Sequence, residues 1–328
     1  MQSRAIVRAT PWVRDVSRDA IRHFAWGIGD DNPLWIDPEY AAQSRWLGIV
    51  APPCFLYAMD ETTVAPEHDE LKRRYVSARW IWFDVLPVAR AVHPHAYLVH
   101  ESSSETGVLT QRGRVEYDDA QGVLLAQVEV STNRLPAEGM APPDSEPAYD
   151  RQELQGTEEA VLGETRRGGE TRYWEDTQTG ETLGLLLKGP VSIMDVVAWC
   201  AATQGIPEPG SDFSDGGLES EGVTGPQQVA WACQLVTDWM GDDGFLHRLD
   251  LELERTPGLG STTAWTGAVS RCWQQSGSCF VELELAATDR RGQRISHGRA
   301  QVVLESRELG PVKLPLARVP SISEELGE

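Results

Sequence analysis

The same order of predicted elements occurs twice along this chain of 328 residues. In each half, a short helix is followed by an irregular polar loop, a longer apolar helix and four strand-like runs. Strands that follow helices in this way are typical of the α+β class and not of alternating βαβ units. A repeated unit with one apolar sheet face can pair with its copy and so cover an edge strand. We therefore predict two similar domains that share one continuous sheet.

The first half shows local signals for its helices. Ser17 is positioned to cap a helix that runs to about Trp26. A helix is predicted over residues 38–46, and another begins near Pro52-Pro53, because proline suits the first turn of a helix. The strands predicted here are 78–86, 95–102, 110–117 and 123–132.

The second half repeats these signals. Ser192 is positioned to cap a helix that runs through Ala202, and residues 227–240 carry an apolar stripe at helical spacing. The strands predicted here are 246–255, 262–270, 279–287 and 295–305.

Residues 136–170 separate the two repeats. They are rich in proline, glycine and acidic side chains and lack sustained apolar periodicity, which is typical of a linker. We therefore predict an N-terminal domain over 1–135 and a C-terminal domain over 171–306. Residues 307–328 are predicted to form a tail.

The charge balance constrains the partners. The chain has 29 Lys and Arg residues against 50 Asp and Glu residues, a formal net charge of −21. A field of that sign repels nucleic acid and anionic membranes, so we predict neither as a partner. The five cysteines form no CxxC pair, and the first residues contain no apolar signal region. A cytoplasmic protein in a reducing environment is the resulting expectation.

Motifs for common cofactors are missing from the sequence. The histidines show no HxxxH spacing, so we predict no metal site. The segment Gly27-Ile28-Gly29 is not part of a GxGxxG pattern that follows a strand, which argues against a dinucleotide-binding fold. We therefore predict that the protein uses no cofactor.

Three longer runs resemble one family. FAWGIGDDNPLWIDPEYAAQSRWLGIVAPPCFLYA, at 24–58, resembles the N-terminal hot-dog domain of MaoC-like acyl dehydratases. LKGPVSIMDVVAWCAATQG, at 187–205, and GPQQVAWACQLVTDWMGDDGFLHRL, at 225–249, resemble the C-terminal half of two-domain members. The resemblance implies an α+β double hot-dog with a FAS1-like dehydratase N-terminal half. In this fold two helix-wrapped antiparallel sheets form a pseudo-dimer within one chain, which exists as a monomer or a homodimer.

The resemblance also implies a chemistry. Its ligands are acyl thioesters of coenzyme A or of a carrier protein, and water is added to or lost from the β-carbon. A carboxylate and a histidine of an Asp-x-Asn-Pro-x-His pattern perform the general acid–base steps. A backbone N–H at the start of the central helix, within a His-Gly pair, stabilises the thioester oxygen as it gains enolate character.

The first half matches this pattern only in part. Asp30 and Asn32 fit it, but Trp35 occupies the histidine position and Pro52-Pro53 the His-Gly position. An indole cannot accept a proton, so this half is predicted to shape the substrate site, with Asp30, Asn32 and Trp35 as binding residues. For Asp30 and Asn32 we favour an alternative role, the capping of the local loop.

The second half retains a glycine, Gly225, at the predicted helix start. Its acid–base loop reads GIPEPGSDFSDGGLESEG and contains no histidine. Asp212 and Asp215 are therefore the predicted catalytic acids, with Gly225 as the backbone donor. Gln227 and Gln228 are predicted to bind substrate at the mouth of the site.

These features predict a hydro-lyase-like enzyme, a MaoC-like acyl-thioester dehydratase or hydratase with an altered active site. The altered motifs favour a role in a specialised, secondary-metabolite pathway. Two alternatives remain open. One is a repurposed hot-dog lyase or cyclase that acts on a small natural-product intermediate, and the other is a non-catalytic acyl-binding subunit.

Overall fold

A computed structural model describes residues 4–6, 13–60, 71–136, 149–163, 171–203 and 222–315 of the chain. Ten strands in this part of the chain form one antiparallel sheet. The strands are β1 (Arg4–Ile6), β2 (Lys72–Trp82), β3 (His93–Ser103), β4 (Leu109–Asp118), β5 (Leu124–Leu135), β6 (Thr182–Lys188), β7 (Phe245–Leu253), β8 (Thr263–Gln275), β9 (Ser278–Thr288) and β10 (Arg294–Leu304). The helices are α1 (Arg18–Gly27), α2 (Pro33–Ile36), α3 (Pro38–Ala41), α4 (Arg151–Gly163), α5 (Ile193–Thr203) and α6 (Gly225–Met240), with 3₁₀ helices at Pro53–Ala58 and Trp174–Asp176.

The strand order shows the internal repeat directly. The strand order across the sheet is β1-β3-β4-β5-β2-β7-β10-β9-β8-β6. From either edge inward, the five strands of a half follow in the same order: the first, third, fourth, fifth and second strand of that half. The halves join through antiparallel pairing of β2 with β7, from Ser77 opposite Glu252 to Ile81 opposite Arg248. The predicted α+β double hot-dog, a pseudo-dimer with one continuous sheet, is confirmed.

Most predicted strands lie within three residues of their observed bounds. The first predicted strand, 78–86, is displaced, because β2 spans Lys72–Trp82. Each half also contains one edge strand, β1 or β6, that the sequence did not reveal. β1 is only three residues long, and the sequence of β6, TLGLLLK, lacks a sustained alternation of polar and apolar side chains.

The helices differ more from expectation. Ser17 caps α1 as predicted, and its hydroxyl oxygen accepts a bond of 3.1 Å from the N–H of Ala20. The helix predicted over 38–46 is wrong in length, since α3 ends at Ala41. The segment that follows Pro52 forms a 3₁₀ helix of six residues in place of the predicted α-helical start.

The helix α6 occupies the centre of the molecule. Nearly all of its residues are buried, as expected for a helix that is apolar on most of its circumference. It packs against the sheet on one side and against the 3₁₀ helix Pro53–Ala58 on the other. This arrangement places the two central helices of the pseudo-dimer against each other.

The segment predicted as a linker, 136–170, contains the largely exposed helix α4. The domain boundaries themselves stay a prediction. No helix within the described ranges is both long and apolar enough to cross a bilayer.

Candidate functional site

The loop between α1 and α2 is organised by one buried carboxylate. Asp30 is only 3% exposed; its Oδ1 accepts a bond of 3.0 Å from the N–H of Asn32. Its Oδ2 accepts a bond of 2.9 Å from the indole N–H of Trp35. The Oδ1 of Asn32 in turn accepts from the N–H of Leu34 and caps α2. Both side chains therefore perform the local capping role that the sequence favoured, and Asp30 also fixes the orientation of Trp35.

Trp35 lines a cavity at the start of the 3₁₀ helix Pro53–Ala58. The centres of water-sized molecules have about 40 Å³ of space in this cavity, and the empty volume is about 500 Å³ only when the adjoining open solvent is included. Its walls come from both halves of the chain, because the end of α6 and the start of β7 face the first half here. The described lining residues are Leu34, Trp35, Trp46, Val50, Ala51, Pro53, Trp82, Asp84, Val85, Leu86, Met240, Gly241, Asp242, Gly244, Phe245 and Leu246.

The three tryptophans of this wall are each held by a hydrogen bond to the protein. Besides the bond from Trp35 to Asp30, the indole N–H of Trp46 donates to the carbonyl of Asp242 at 2.8 Å. The indole N–H of Trp82 donates to the carbonyl of Pro53 at 3.0 Å. The described indole donors are therefore used within the protein, and the rings contribute only apolar and π surface to the cavity.

The cavity is lined by Trp35 and Pro53, which occupy the histidine position and the glycine position of the family pattern, and neither residue fits that chemistry. Trp35 replaces the base, and both oxygens of Asp30 already accept hydrogen bonds. Pro52 and Pro53 have no N–H to donate at the helix start. Among the described residues of the first half, the acid–base pair of the family pattern is therefore missing.

Two carboxylates in the wall were missed by the sequence analysis. Asp84 follows β2, accepts from the N–H of Val85 at 2.8 Å and lies 3.3 Å from the guanidinium of Arg90. Asp242 follows α6 and accepts from the hydroxyl of Tyr40 at 2.5 Å. Neither residue belongs to a recognisable local motif. Asp242 in addition reaches this cavity only through the pairing of the two halves.

The other end of α6 holds the second group of predicted residues. Gly225 is its first residue, and a Cβ there would lie 2.4 Å from the Cβ of Tyr75 in β2. Thr224 caps the helix and accepts from the N–H of Gln227 at 3.2 Å. Since Pro226 has no N–H, Gly225 is the remaining candidate for a backbone donor to a ligand in this first turn.

Gln228 has structural partners. Its side-chain amide donates to the carbonyl of Arg255 at 3.3 Å, and its Oε1 accepts from the hydroxyl of Ser296 at 2.9 Å. Gln227 and Gln228 are each only 2% exposed. Both glutamines are therefore buried at the start of α6, where the sequence predicted the mouth of the substrate site. Asp212 and Asp215 lie outside the described residues.

The predicted site residues that lie within the described ranges form two groups. Asp30, Asn32 and Trp35 lie towards the C-terminal end of α6, and Gly225 lies at its start together with the two glutamines. The 16 residues of α6 separate its ends by about 22 Å. Within the described ranges, no cluster of three His, Cys, Asp or Glu side chains is arranged to hold a metal ion.

The contact between the two central helices contains the buried thiol of Cys54. Burial, followed by a hydrogen bond with Cys233, raises the pKa of the Cys54 thiol well above its ordinary value. The Cys54 sulfur lies 4.0 Å from the carbonyl of Val229. A thiol that stays protonated is a poor nucleophile, so this contact serves packing.

Comparisons with known proteins agree with this geometry. Residues 6–83 match the family described as the FAS1-like dehydratase domain region. A UPF0336 protein of Streptomyces avermitilis is 42% identical over 45 residues, which are 14% of this chain and 30% of that protein. The aligned segment thus spans less than a third of that relative.

Solved structures match over nearly the whole chain. A MaoC-like dehydratase has a TM-score of 0.67 at 16% identity and covers 92% of this chain and 97% of its own. A putative MaoC domain protein dehydratase of Chloroflexus aurantiacus has a TM-score of 0.64 at 10% identity, covering 94% and 96%. A conserved hypothetical protein of Mycobacterium tuberculosis with a double hot-dog fold has a TM-score of 0.58 at 11% identity, covering 92% and 95%.

The chain therefore has the double hot-dog fold of the MaoC-like dehydratases. Its N-terminal half carries the FAS1-like dehydratase region, so the resemblance identified in the sequence is confirmed.

Proposed function

We propose that this protein is an acyl-thioester dehydratase or hydratase with an altered active site in its second half, acting in a specialised pathway. The observation that carries the proposal is the difference between the two central helix starts. The first begins with Pro52-Pro53, which offers no donor, whereas α6 begins with Gly225. Of the two starts, only that of α6 combines a backbone N–H with the positive end of a long helix.

In the proposed reaction, the thioester oxygen accepts a hydrogen bond from the Gly225 N–H as negative charge develops on it. One carboxylate of the 204–221 segment, Asp212 or Asp215, removes the α-proton of a 3-hydroxyacyl thioester. The same group returns that proton to the β-hydroxyl, which leaves as water and gives the 2-enoyl thioester. Hydration is the reverse of these steps, and no redox partner is needed.

The first half has a binding role in this proposal. Trp35 cannot exchange a proton at its indole ring in the way that an imidazole does, and Asp30 is engaged in fixing it. The ligand that this chain binds through its first half therefore meets apolar and aromatic surface.

The test is a mass-spectrometric assay of water gain or loss with a panel of 2-enoyl and 3-hydroxyacyl coenzyme A thioesters. Asp212→Asn, Asp215→Asn and the double variant are compared with Asp250→Asn, which removes the same charge at an exposed position of β7. The loss of a positioned acid–base group costs about 10²–10⁴-fold in rate. We expect such a loss in at least one single variant and in the double variant, but not in Asp250→Asn.

Unchanged turnover in all three carboxylate variants would overturn the assignment of the acid. Thioester binding without any turnover by the unmodified protein would overturn the enzymatic proposal and favour the non-catalytic acyl-binding subunit.

A further inference from the structure

The face of the sheet opposite to the one that α6 covers carries an ordered row of charges. One residue from each of six neighbouring strands lies in this row, directly opposite the next in the strand register. In order across the sheet, the row is Arg114, Glu129, Arg79, Asp250, Arg299 and Glu284. These side chains are partly or fully exposed, whereas most residues that alternate with them along the strands are buried. Positive and negative side chains therefore alternate without interruption from β4 to β9.

The internal repeat accounts for the fold of this face but not for its charges. The two halves meet between β2 and β7, and the pairing of Arg79 with Asp250 is at the middle of that contact. The pseudo-twofold relation between the halves therefore exchanges these two positions. It likewise exchanges Glu129 of β5 with Arg299 of β10. At each position the second half carries the opposite charge, so the repeat preserves the fold and inverts the charge pattern.

A charge pattern of this kind is complementary to itself. We propose that this face binds a second copy of the chain, back to back, about a twofold axis that runs along the strands between β2 and β7. Arg79 then faces Asp250 of the second copy, and Glu129 faces Arg299 of the second copy. A twofold axis along the row itself would instead place Arg79 against Arg79 and Asp250 against Asp250. Charge complementarity sets orientation in protein interfaces and therefore favours the first axis.

The rows on either side fit the same axis. One of them is Gln127, Ile81, Arg248 and Gln301, and the other is Ser131, Ser77, Glu252 and His297. The axis places Ile81 against Arg248, whose methylene stem can cover apolar surface. It also places Ser77 against Glu252, a donor against an acceptor. In these three rows of described residues, the axis sets no two like charges opposite each other.

The centre of this surface is open in the described part of the chain. It forms a depression in which the centres of water-sized molecules have about 500 Å³ of space. Its described lining includes the four central charges of the row, and every lining residue is at least partly exposed. Sheets that pack face to face lie about 10 Å apart. A long arginine opposite a short carboxylate suits that separation.

The central charges are poorly paired within the chain. Arg79 lies 3.8 Å from Glu252, and Arg299 lies 3.8 Å from Glu284. Both distances exceed the length of a charge-assisted hydrogen bond, about 2.7–2.9 Å. Among the described residues, Glu129 and Asp250 have no ion-pair partner. In the proposed dimer, all four charges gain a partner of opposite sign.

The balance of charge favours a second copy as the partner. The net charge of −21 makes two copies repel each other over most of their surfaces. The described lining of the depression, by contrast, contains three arginines and three acidic residues, so two copies can approach here without net repulsion. Half-buried rings next to it add apolar surface, in a contact series formed by Phe83, His247, Phe280 and Trp273.

Sedimentation equilibrium of the full chain, over a range of protein concentrations, measures the association. We expect the mass to reach twice the 36.2 kDa of one chain. Arg79→Asp and Asp250→Arg each set like charges opposite each other across the proposed axis. We expect each substitution to raise the dimer dissociation constant at least tenfold.

A mixture of the two variants separates contacts between chains from contacts within a chain. In either variant, positions 79 and 250 carry like charges, so the repulsion within each chain persists in the mixture. Across the axis of a mixed dimer, each of these positions faces the opposite charge. We therefore expect an equimolar mixture to associate at least tenfold more tightly than either variant alone.

The control variants are Arg151→Asp and Glu158→Arg, which make the same changes in charge at exposed positions of α4. We expect both to leave the dimer unchanged. A monomeric unmodified protein, a dimer that neither substitution in the row weakens, or a mixture that associates no better than the single variants would overturn the proposal.

A second pair of positions keeps the test decisive if either variant fails to fold. Glu129→Arg and Arg299→Glu apply the same logic one strand further from the axis on each side, with the same expected recovery in the mixture. The measured quantity is the mass of the assembly and does not depend on thioester turnover. Failure here is therefore distinguishable from failure of the proposed reaction.

Discussion

The substitution Asp30→Asn tests whether the carboxylate holds the first-half loop together. The two side chains have nearly the same volume, so packing is preserved and only the hydrogen bonding and the charge change. Asp30 accepts one bond from the N–H of Asn32 and one from the indole of Trp35, at 3.0 and 2.9 Å. An asparagine has a single acceptor oxygen, so its NH₂ group must face one of these two buried donors.

The cost follows from this mismatch. A buried donor left without an acceptor costs about 1–3 kcal/mol, and bonds to an ionised acceptor lie in the upper part of that range. We therefore expect the free energy of unfolding to fall by about 2 kcal/mol. At a urea slope of about 3 kcal/mol/M, the unfolding midpoint would decrease by about 0.7 M.

Equilibrium urea unfolding, followed by tryptophan fluorescence, measures this shift. Asp31→Asn is the matched control, because Asp31 is the exposed neighbour in the same loop and carries the same charge. We expect Asp31→Asn to change the free energy of unfolding by no more than about 0.5 kcal/mol. Equal midpoints for the two variants would refute the reasoning that Asp30 anchors Trp35.

Two further predictions concern α6 and β7. Gly225→Ala is expected to lower the free energy of unfolding by about 1–3 kcal/mol, because the new Cβ overlaps Tyr75. Gly156→Ala in the exposed helix α4 meets open space and should leave thermal stability unchanged or raise it, so a similar decrease in both variants would contradict the steric argument. Burial lowers the pKa of His247 below its ordinary value of 6.5, despite its bond with the carbonyl of Trp82. Its stabilising contribution is therefore present above pH 6.5 and is lost as the pH falls through the folded-state pKa, so urea midpoints at pH 7.5 and 5.5 should differ less in His247→Gln. An unchanged pH dependence in that variant would speak against this assignment.

Local sequence patterns were sufficient for most of the fold. Strands β3, β4, β5, β7, β9 and β10 were located closely, because each has one buried and one more exposed face and its sequence therefore alternates between apolar and polar residues. The edge strands lacked that signal, because β1 has three residues and β6 carries a run of leucines. The shortening of the helix after Pro52 also had no local signal, since proline is compatible with either helix type.

The same contrast holds for the candidate site. The capping roles of Asp30 and Asn32 were predictable because both side chains bond to groups within five residues in the chain. The cavity could not be predicted from the sequence, because Trp35 and Asp242, which both line it, lie about 200 residues apart in the chain. They meet only because the two halves of the chain pack against each other.

The sequence by itself determined that the chain repeats one helix-and-sheet unit, and that its first copy lacks both the base and the backbone donor of the family pattern. Those properties depend on neighbouring residues and on residue chemistry. Only the tertiary structure decided that the predicted residues within the described part of the chain separate into two groups at opposite ends of α6. It also decided that three tryptophans of the first half share one cavity with residues at the end of α6 and the start of β7. Long-range contacts of this kind are set by how the two halves pair, which no local pattern encodes.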